Sequence, residues 1–337
     1  LRIIKRFTET VMSYFPMILT RSPLTLEMGL LLTRKDYSMQ APLIVFGYKR
    51  KEHIKNTLKA LNNNYLAGST KLYIFLDGAR NVDEQADVEA VQNYVSNFST
   101  NCNFQEVIIK KSEQNIGLAN SIINGVSSII EKYDKVIVVE DDLITTRNFL
   151  QFMNDALDFY QHDNKIGMIE GYSLPLKSLK LYTHDIYLSK RGGSWGWATW
   201  KDRWNKAEWE LENYKKHLAS KKLQKKLAQG GTDLPYMLNL QANGKLNSWA
   251  IRWCLTMSLH NWLTICPKYS MVQNCGMDNS GENCSETHDY DVEIEEKPYK
   301  LEFVEIDKRI IKEIYQKMDV RYFARIIKSI KFRFNLL

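Results

Sequence analysis

From Pro42 onward the chain alternates short apolar runs with amphipathic stretches. LIVFGY (43–48) is continuously apolar, the pattern of a strand covered on both faces. KRKEHIKNTLKALNNN follows, with Ile54, Leu58 and Leu61 at helical spacing. KLYIFLDG predicts a second strand ending at Asp77 and Gly78, and DVEAVQNYVSNF a second amphipathic helix. FQEVIIKK predicts a third strand, ANSIINGVSSIIEKY a third helix and KVIVVEDD a fourth strand. Strands alternating with helices at this spacing predict a mostly parallel sheet with helices on both faces, an α/β fold. Ligands of such sheets sit at the carboxyl ends of the strands. Tyr48 to Arg50, Asp77 and Glu140 to Asp142 all fall at those ends.

Outside this core the pattern changes. Residues 1–40 read as an amphipathic helical appendage interrupted by Pro16 and Pro23, and 41–300 as the main domain. Within that domain 41–143 form the expected ligand-binding half and 144–300 a second half rich in Trp. Residues 301–337 read as a basic helical appendage: from Arg321 onward five basic and no acidic side chains accompany an apolar stripe of Phe323, Ile326, Ile327, Ile330 and Phe334. That stripe suits either an anionic membrane surface or a docked last helix. The lysine-rich stretch from Lys215 to Lys226 is expected to be a solvated helix face.

Composition narrows the choices modestly. The 337 residues are 44% hydrophobic, enough for a large core. The net charge of +7 suits an anionic small molecule, a membrane surface or nucleic acid without choosing among them. Five widely spaced cysteines without a CxxC pair point to a reduced compartment and away from zinc. No apolar stretch of about 20 residues is present to span a bilayer, and LRIIKRFTET is not followed by the apolar block of a signal peptide. The expected location is cytoplasmic, peripheral to the inner face of the membrane.

The strongest local feature is Glu140–Asp141–Asp142, three carboxylates closing a buried strand. Like charges this close disfavour one another's ionised form and call for a cation. Hard divalent ions such as Mn²⁺ or Mg²⁺ accept one or two carboxylates when diphosphate oxygens complete the shell. The alternative is an acidic turn capping the next helix. Position at the ligand edge of the sheet favours the metal–diphosphate reading. Arg50 and Asp77 are weak signals alone and gain value from sharing that edge.

GGSWGWATWKDRW (192–204) holds four of the eight tryptophans. Trp195 and Trp197 alternate with Gly196, which suits an extended segment lining a sugar pocket, whereas Trp200 and Trp204 are expected in the core on a helix. The six histidines show no HxH or HExxH spacing. His184 and His260 read as structural, and His288 as a candidate metal or phosphate ligand.

A Rossmann-like half ending in VVEDDL, followed by GGSWGWATWKDRW, NSWAIRW and NCGMDNSG, resembles glycosyltransferases of the GT-A fold, nearest the bacterial sugar transferases akin to the N-acetylglucosaminyltransferase I branch. The resemblance covers roughly Pro42 to Cys284. It implies a metal-dependent, inverting transfer from a nucleotide-diphosphate sugar to a hydroxyl of a saccharide or lipid-linked saccharide, in surface polysaccharide or glycan synthesis. By resemblance, Asp142 binds Mn²⁺ or Mg²⁺, Asp141 the ribose and Glu140 the donor sugar. Asp77 would read the base, Arg50 would touch the nucleotide, and Trp195, Trp197 and Trp249 would line the sugar and acceptor pocket. The implied partners are the donor, the acceptor and an anionic membrane surface, with no nucleic acid.

Two departures leave the catalytic base open. Relatives place an Asp before the Trp of the SWAIRW-like segment, where this chain has Asn247–Ser248–Trp249. They also often carry a His in the later loop, where this chain reads SGENC with Asn283. Asp233 and Asp278 are the nearest carboxylate candidates, with Glu282 behind them. A non-catalytic saccharide-binding relative is therefore a second expectation. A nucleotidyltransferase is a third, disfavoured because FGYKRKEH has only Gly47 where a Gly-rich loop is usual.

Overall fold

The computed structural model describes residues 39–210, 212–278, 280 and 287–319. The predicted appendage at 1–40 lies outside these residues almost entirely, as do the C-terminal apolar stripe, Glu282, Asn283 and Cys284. The first half runs β1 (Leu43–Gly47), α1 (Lys51–Asn62), β2 (Lys71–Leu76), α2 (Gln85–Ser99), β3 (Glu106–Lys111), α3 (Leu118–Tyr133) and β4 (Lys135–Glu140). The second half adds β5 (Leu143–Thr145), α4 (Phe149–Tyr160), β6 (Ile166–Glu170), β7 (Ile186–Ser189), β8 (Trp197–Trp200) and α5 (Lys201–Trp204). It continues with α6 (Glu212–Ala219), α7 (Lys221–Leu227), α8 (Asp233–Ala242), α9 (Trp249–His260), β9 (Leu263–Pro267), β10 (Val272–Asn274) and α10 (Lys308–Lys317).

The strands form one eight-stranded sheet in the order β3-β2-β1-β4-β8-β6-β9-β7, beside a two-stranded ribbon of β5 and β10. β3, β2, β1 and β4 pair in parallel. β8 then enters antiparallel between β4 and β6, which restores the original direction for β6 and β9, and β7 closes the edge antiparallel. The sheet is mixed and mostly parallel, as expected. The two sequence halves share it, because β8 of the second half pairs directly with β4 of the first.

Successive side chains of a strand face opposite sides, and the two cores divide accordingly. Leu43 and Val45 of β1 join Ile137 and Val139 of β4 on the face covered by Ile54, Leu58 and Leu61 of α1 and by Phe149, Phe152 and Met153 of α4. Ile44, Phe46, Val136 and Val138 face the other way, onto Ile122 and Val126 of α3 and a tryptophan cluster. Trp197 is wholly buried there, with ring centroids 5.6 Å from Trp204 and 4.8 Å from Trp249.

These positions correct two expectations. Trp197 and Trp249 were expected to line the sugar pocket; both are core side chains, because the β8 register turns Trp197 onto the helical face beneath α9. Trp200 is buried as expected, but it ends a strand, and the helix begins one residue later.

β1 pairs with β2 on one side and with β4 on the other. The chain therefore leaves β1 in one direction and returns to the opposite side at β4, opening a crevice at the carboxyl ends of these two strands. Phe46 pairs with Glu140 in this register, which brings the residues following β1 beside the acidic triplet.

Candidate functional site

The crevice is lined by Gly47, Tyr48, Lys49 and Arg50 at and beyond the end of β1, Asp77 and Arg80 after β2, and Glu140, Asp141 and Asp142 at and beyond the end of β4. Asn115, Leu118 and Ser121 come from the start of α3, and Gly276 and Ser280 from the loop after β10. Five of the expected site residues thus converge: Arg50, Asp77, Glu140, Asp141 and Asp142.

The acidic corner is held from three sides. Thr57, wholly buried on α1, donates its hydroxyl to the Asp141 carbonyl at 2.7 Å and accepts from the Leu143 amide at 3.1 Å. The β5–β10 ribbon carries Asn274 opposite Leu143. The Cys275 amide donates to the Asp142 carbonyl at 2.8 Å, and the Asn274 amide nitrogen lies 3.4 Å from Asp142 Oδ1. Gly276 packs directly on the carboxylate: a Cβ there would lie 2.1 Å from Asp142 Oδ2, so no larger residue fits without moving it.

Arg50 supplies the positive charge. Its Nη2 donates to Asp141 Oδ1 and, at 2.8 Å, to Asp142 Oδ2. Burial alone would lower the pKa of this guanidinium, but Asp141 and Asp142 more than offset it and hold the pKa above its usual range. One cation does not balance three acids. Burial, with Asp142 and Asp141 beside it, pushes Glu140 up to about 8. Burial pushes Asp141 up to about 6 against the pull of Arg50. Three carboxylates thus face a single guanidinium.

That donor set fits a hard divalent ion completed by diphosphate oxygens. Among the described residues no group of three or more His, Cys, Asp or Glu side chains converges as a self-sufficient metal site. Any such ion would depend on Asp142, with Asp141 adjacent, and on the ligand.

The remaining expected residues fall elsewhere. Asp77 reaches the crevice, but its carboxylate accepts the amides of Gly78 at 3.0 Å, Ile116 at 3.0 Å and Gly117 at 2.9 Å, fastening the loop that enters α3. Asp233 is buried, with both carboxylate oxygens paired to Arg191 at 2.9 and 2.8 Å, and does not line the crevice. Asp278 does not line the crevice either; its carboxylate meets His53 Nε2 at 3.2 Å and accepts from Ser280 Oγ at 2.5 Å, and Ser280 does line it. Trp195 packs edge-on to Tyr172 and Tyr290, with centroids at 4.5 and 5.9 Å. Trp249 lies at the N-terminus of α9, where its side chain weakly opposes the upward push on Glu140. His184 faces Glu302, His260 stacks on Trp262, and the exposed His288 faces Asp291. Asn247 accepts from Arg252 Nη2 at 2.6 Å.

Sequence reading missed Thr57, Asn274, Gly276, His53 and Glu170. Thr57 had a signal: it is a hydroxyl on the stripe that carries Ile54, Leu58 and Leu61. Glu170 had the same signal as the triplet, an apolar run closing in an acid at a strand's carboxyl end. It is buried against the glycine turn after β7; a Cβ on Gly193 would lie 1.7 Å from Glu170 Oε1, so a larger residue there would displace the carboxylate. The Cys266 thiol approaches Oε2 at 3.8 Å. Burial pushes Glu170 up to about 8, against the pull of Arg191, Cys266 and the Gly193 amide.

No protein-family model and no curated protein matches the chain. Several solved structures are similar. A structure of S. aureus TarS, residues 1–349, is 12% identical with a TM-score of 0.40 and covers 69% of this chain, which spans 60% of its length. A second S. aureus TarS structure is 15% identical with a TM-score of 0.29, covering 39% of this chain and 21% of its own. A mannosyltransferase from Pyrobaculum calidifontis, PcManGT in complex with GDP-Man and Mn²⁺, is 10% identical with a TM-score of 0.40, covering 77% and 81%. Likeness at this level adds nothing to the reading of the site, which rests on the chain's own geometry.

Glu170 gives a pH prediction. A carboxyl whose folded pKa lies near 8, above its usual 4.5, adds stability that is complete below about 4.5 and lost as pH rises through about 8. Glu170→Gln cannot ionise. Urea denaturation at pH 9 is expected to find the variant more stable than wild type by about 1–3 kcal/mol, with the difference shrinking towards pH 5. An equal difference at both pH values would show that Glu170 does not ionise across this range.

Proposed function

We propose that the crevice binds a nucleotide-diphosphate sugar and that the chain transfers the sugar to a hydroxyl of a saccharide or lipid-linked saccharide, by single displacement with inversion. The observation that carries this reading is the convergence of Arg50 with the buried Asp141 and the partly buried Glu140 and Asp142 in the crevice between β1 and β4. It is a corner short of positive charge, placed where a mostly parallel sheet takes its ligands. Asp142 would hold Mn²⁺ or Mg²⁺, with Asp141 beside it. When bound, such an ion supplies Lewis-acid neutralisation of charge on the departing diphosphate.

The protein's own groups do the rest. Arg50 pairs with the diphosphate, and Asp77 holds the 116–117 amides so that the floor of the nucleotide site is formed before ligand arrives. Glu140, at the end of β4 beside the two aspartates, faces the donor sugar. Of the two base candidates, Asp233 would first have to break its paired bonds to Arg191, whereas Asp278 is half exposed beside Ser280 of the crevice wall, open to an acceptor hydroxyl. Asp278 is the carboxylate assigned to take the acceptor's proton.

The expected docking of the C-terminal segment on an anionic membrane remains part of this proposal. The described helix leading towards that segment carries Lys308, Arg309, Lys312 and Lys317. No helix among the described residues is long and apolar enough to cross a membrane. A saccharide-binding protein without transfer activity is the second reading, favoured by the commitment of Asn247 to Arg252 at the position where a base was expected.

A thermal-shift panel of UDP, GDP, CMP and dTDP sugars, with and without Mn²⁺, tests the donor class, because a ligand of the native state raises its apparent stability. One nucleotide class is expected to respond, and only with the metal. Asp142→Ala is expected to lose that response and about 10²–10³-fold of transfer activity; full activity of this variant in chelator refutes the metal's role. Asp278→Asn is expected to lower turnover by about 10²–10⁴-fold while still binding donor. Wild-type turnover in that variant would remove Asp278 as the base, and donor binding without any transfer by the wild type would favour the second reading.

A further inference from the structure

The acidic corner already contains a cation. Arg50 Nη2 spans Asp141 and Asp142 across the gap between the ends of β1 and β4, and Gly276 closes over the pair. The other terminal nitrogen, Nη1, is buried and has no hydrogen-bond partner among the described residues. A guanidinium stays charged at any working pH, so its hold on the carboxylates is released by movement and not by loss of a proton.

Arg50 holds Asp142 Oδ2, so a divalent ion on this carboxylate would take that oxygen or sit on Oδ1 a few ångströms from the guanidinium, and two cations that close repel strongly. A diphosphate changes that balance. It offers the fork of Arg50 a bidentate anion, and the unpartnered Nη1 is a donor left over for it. We infer that Arg50 is a placeholder cation, occupying the metal's position on Asp141 and Asp142 in the free protein and passing to the donor's diphosphate as the metal enters. Metal and diphosphate then bind with positive coupling: each prepares the site for the other, and by linkage the factor is the same in both directions. This inference rests on the metal–diphosphate reading of the crevice.

The test is calorimetric titration of Mn²⁺ into wild type, Arg50→Gln and Arg50→Lys at pH 8, with and without saturating pyrophosphate and with solution Mn²⁺–pyrophosphate binding subtracted. Wild type is expected to bind Mn²⁺ weakly alone and about 5–150-fold more tightly with pyrophosphate. Arg50→Gln is expected to bind Mn²⁺ alone at least about 5-fold more tightly than wild type and to lose most of the coupling. Arg50→Lys, which keeps a cation at the corner, is expected to bind Mn²⁺ alone as weakly as wild type, and it guards against a folding defect in the glutamine variant. If Arg50→Gln binds Mn²⁺ no more tightly than wild type, or Arg50→Lys binds it as tightly as Arg50→Gln, the placeholder is refuted while metal binding with pyrophosphate still stands. If none of the three proteins binds Mn²⁺ with or without pyrophosphate, the metal reading falls and the placeholder with it.

Discussion

Carboxylates packed at the end of a buried strand repel one another and lose their solvation, so they persist only if something positive is built in beside them. Here that partner is Arg50, and the topology explains how it gets there. Because the chain leaves β1 towards β2 and returns on the other side at β4, the residues after β1 and after β4 become neighbours despite lying about ninety positions apart. A single guanidinium faces three carboxylates, and burial first, with the neighbouring acids adding to it, pushes Glu140 and Asp141 up. Everything proposed for the crevice depends on this imbalance.

The surroundings keep the imbalance from relaxing. Thr57 ties the backbone on both sides of Asp142 to α1, and the β5–β10 ribbon lays Asn274, Cys275 and Gly276 over the carboxylate. Asp77 spends its hydrogen bonds on the loop before α3. On the opposite face of β4 from α1, stacked tryptophans beneath α9 form a stiff floor that brings Trp249 to Glu140. Acids fixed in a preformed, poorly solvated setting can act on a ligand without first reorganising.

Much of this was legible from the chain. β1 to β4 and the helices between them follow from periodicity, because apolar spacing is local and Ile54, Leu58 and Leu61 of α1 declare their buried face directly. The acidic corner and Arg50 were legible from their place at strand ends. What escaped was non-local. Nothing near Trp197 reveals that β8 inserts antiparallel between β4 and β6, and that pairing decides which way its side chain points, so Trp197 and Trp249 were assigned to a pocket when they are core. Asp233 looked free until the fold placed Arg191 across it. Glu170 obeyed the rule that singled out Glu140 but stood alone, without neighbouring acids to draw notice.

The central claim is that the tip of β4 seats a divalent ion together with a diphosphate. Anomalous diffraction at the manganese edge, from crystals grown with Mn²⁺ and a nucleoside diphosphate, tests it most directly. One manganese peak is expected at roughly 2.0–2.4 Å from an Asp142 carboxylate oxygen, with Arg50 turned from the aspartates to the diphosphate. A diphosphate and metal bound elsewhere, with Arg50 still bridging Asp141 and Asp142, would contradict it.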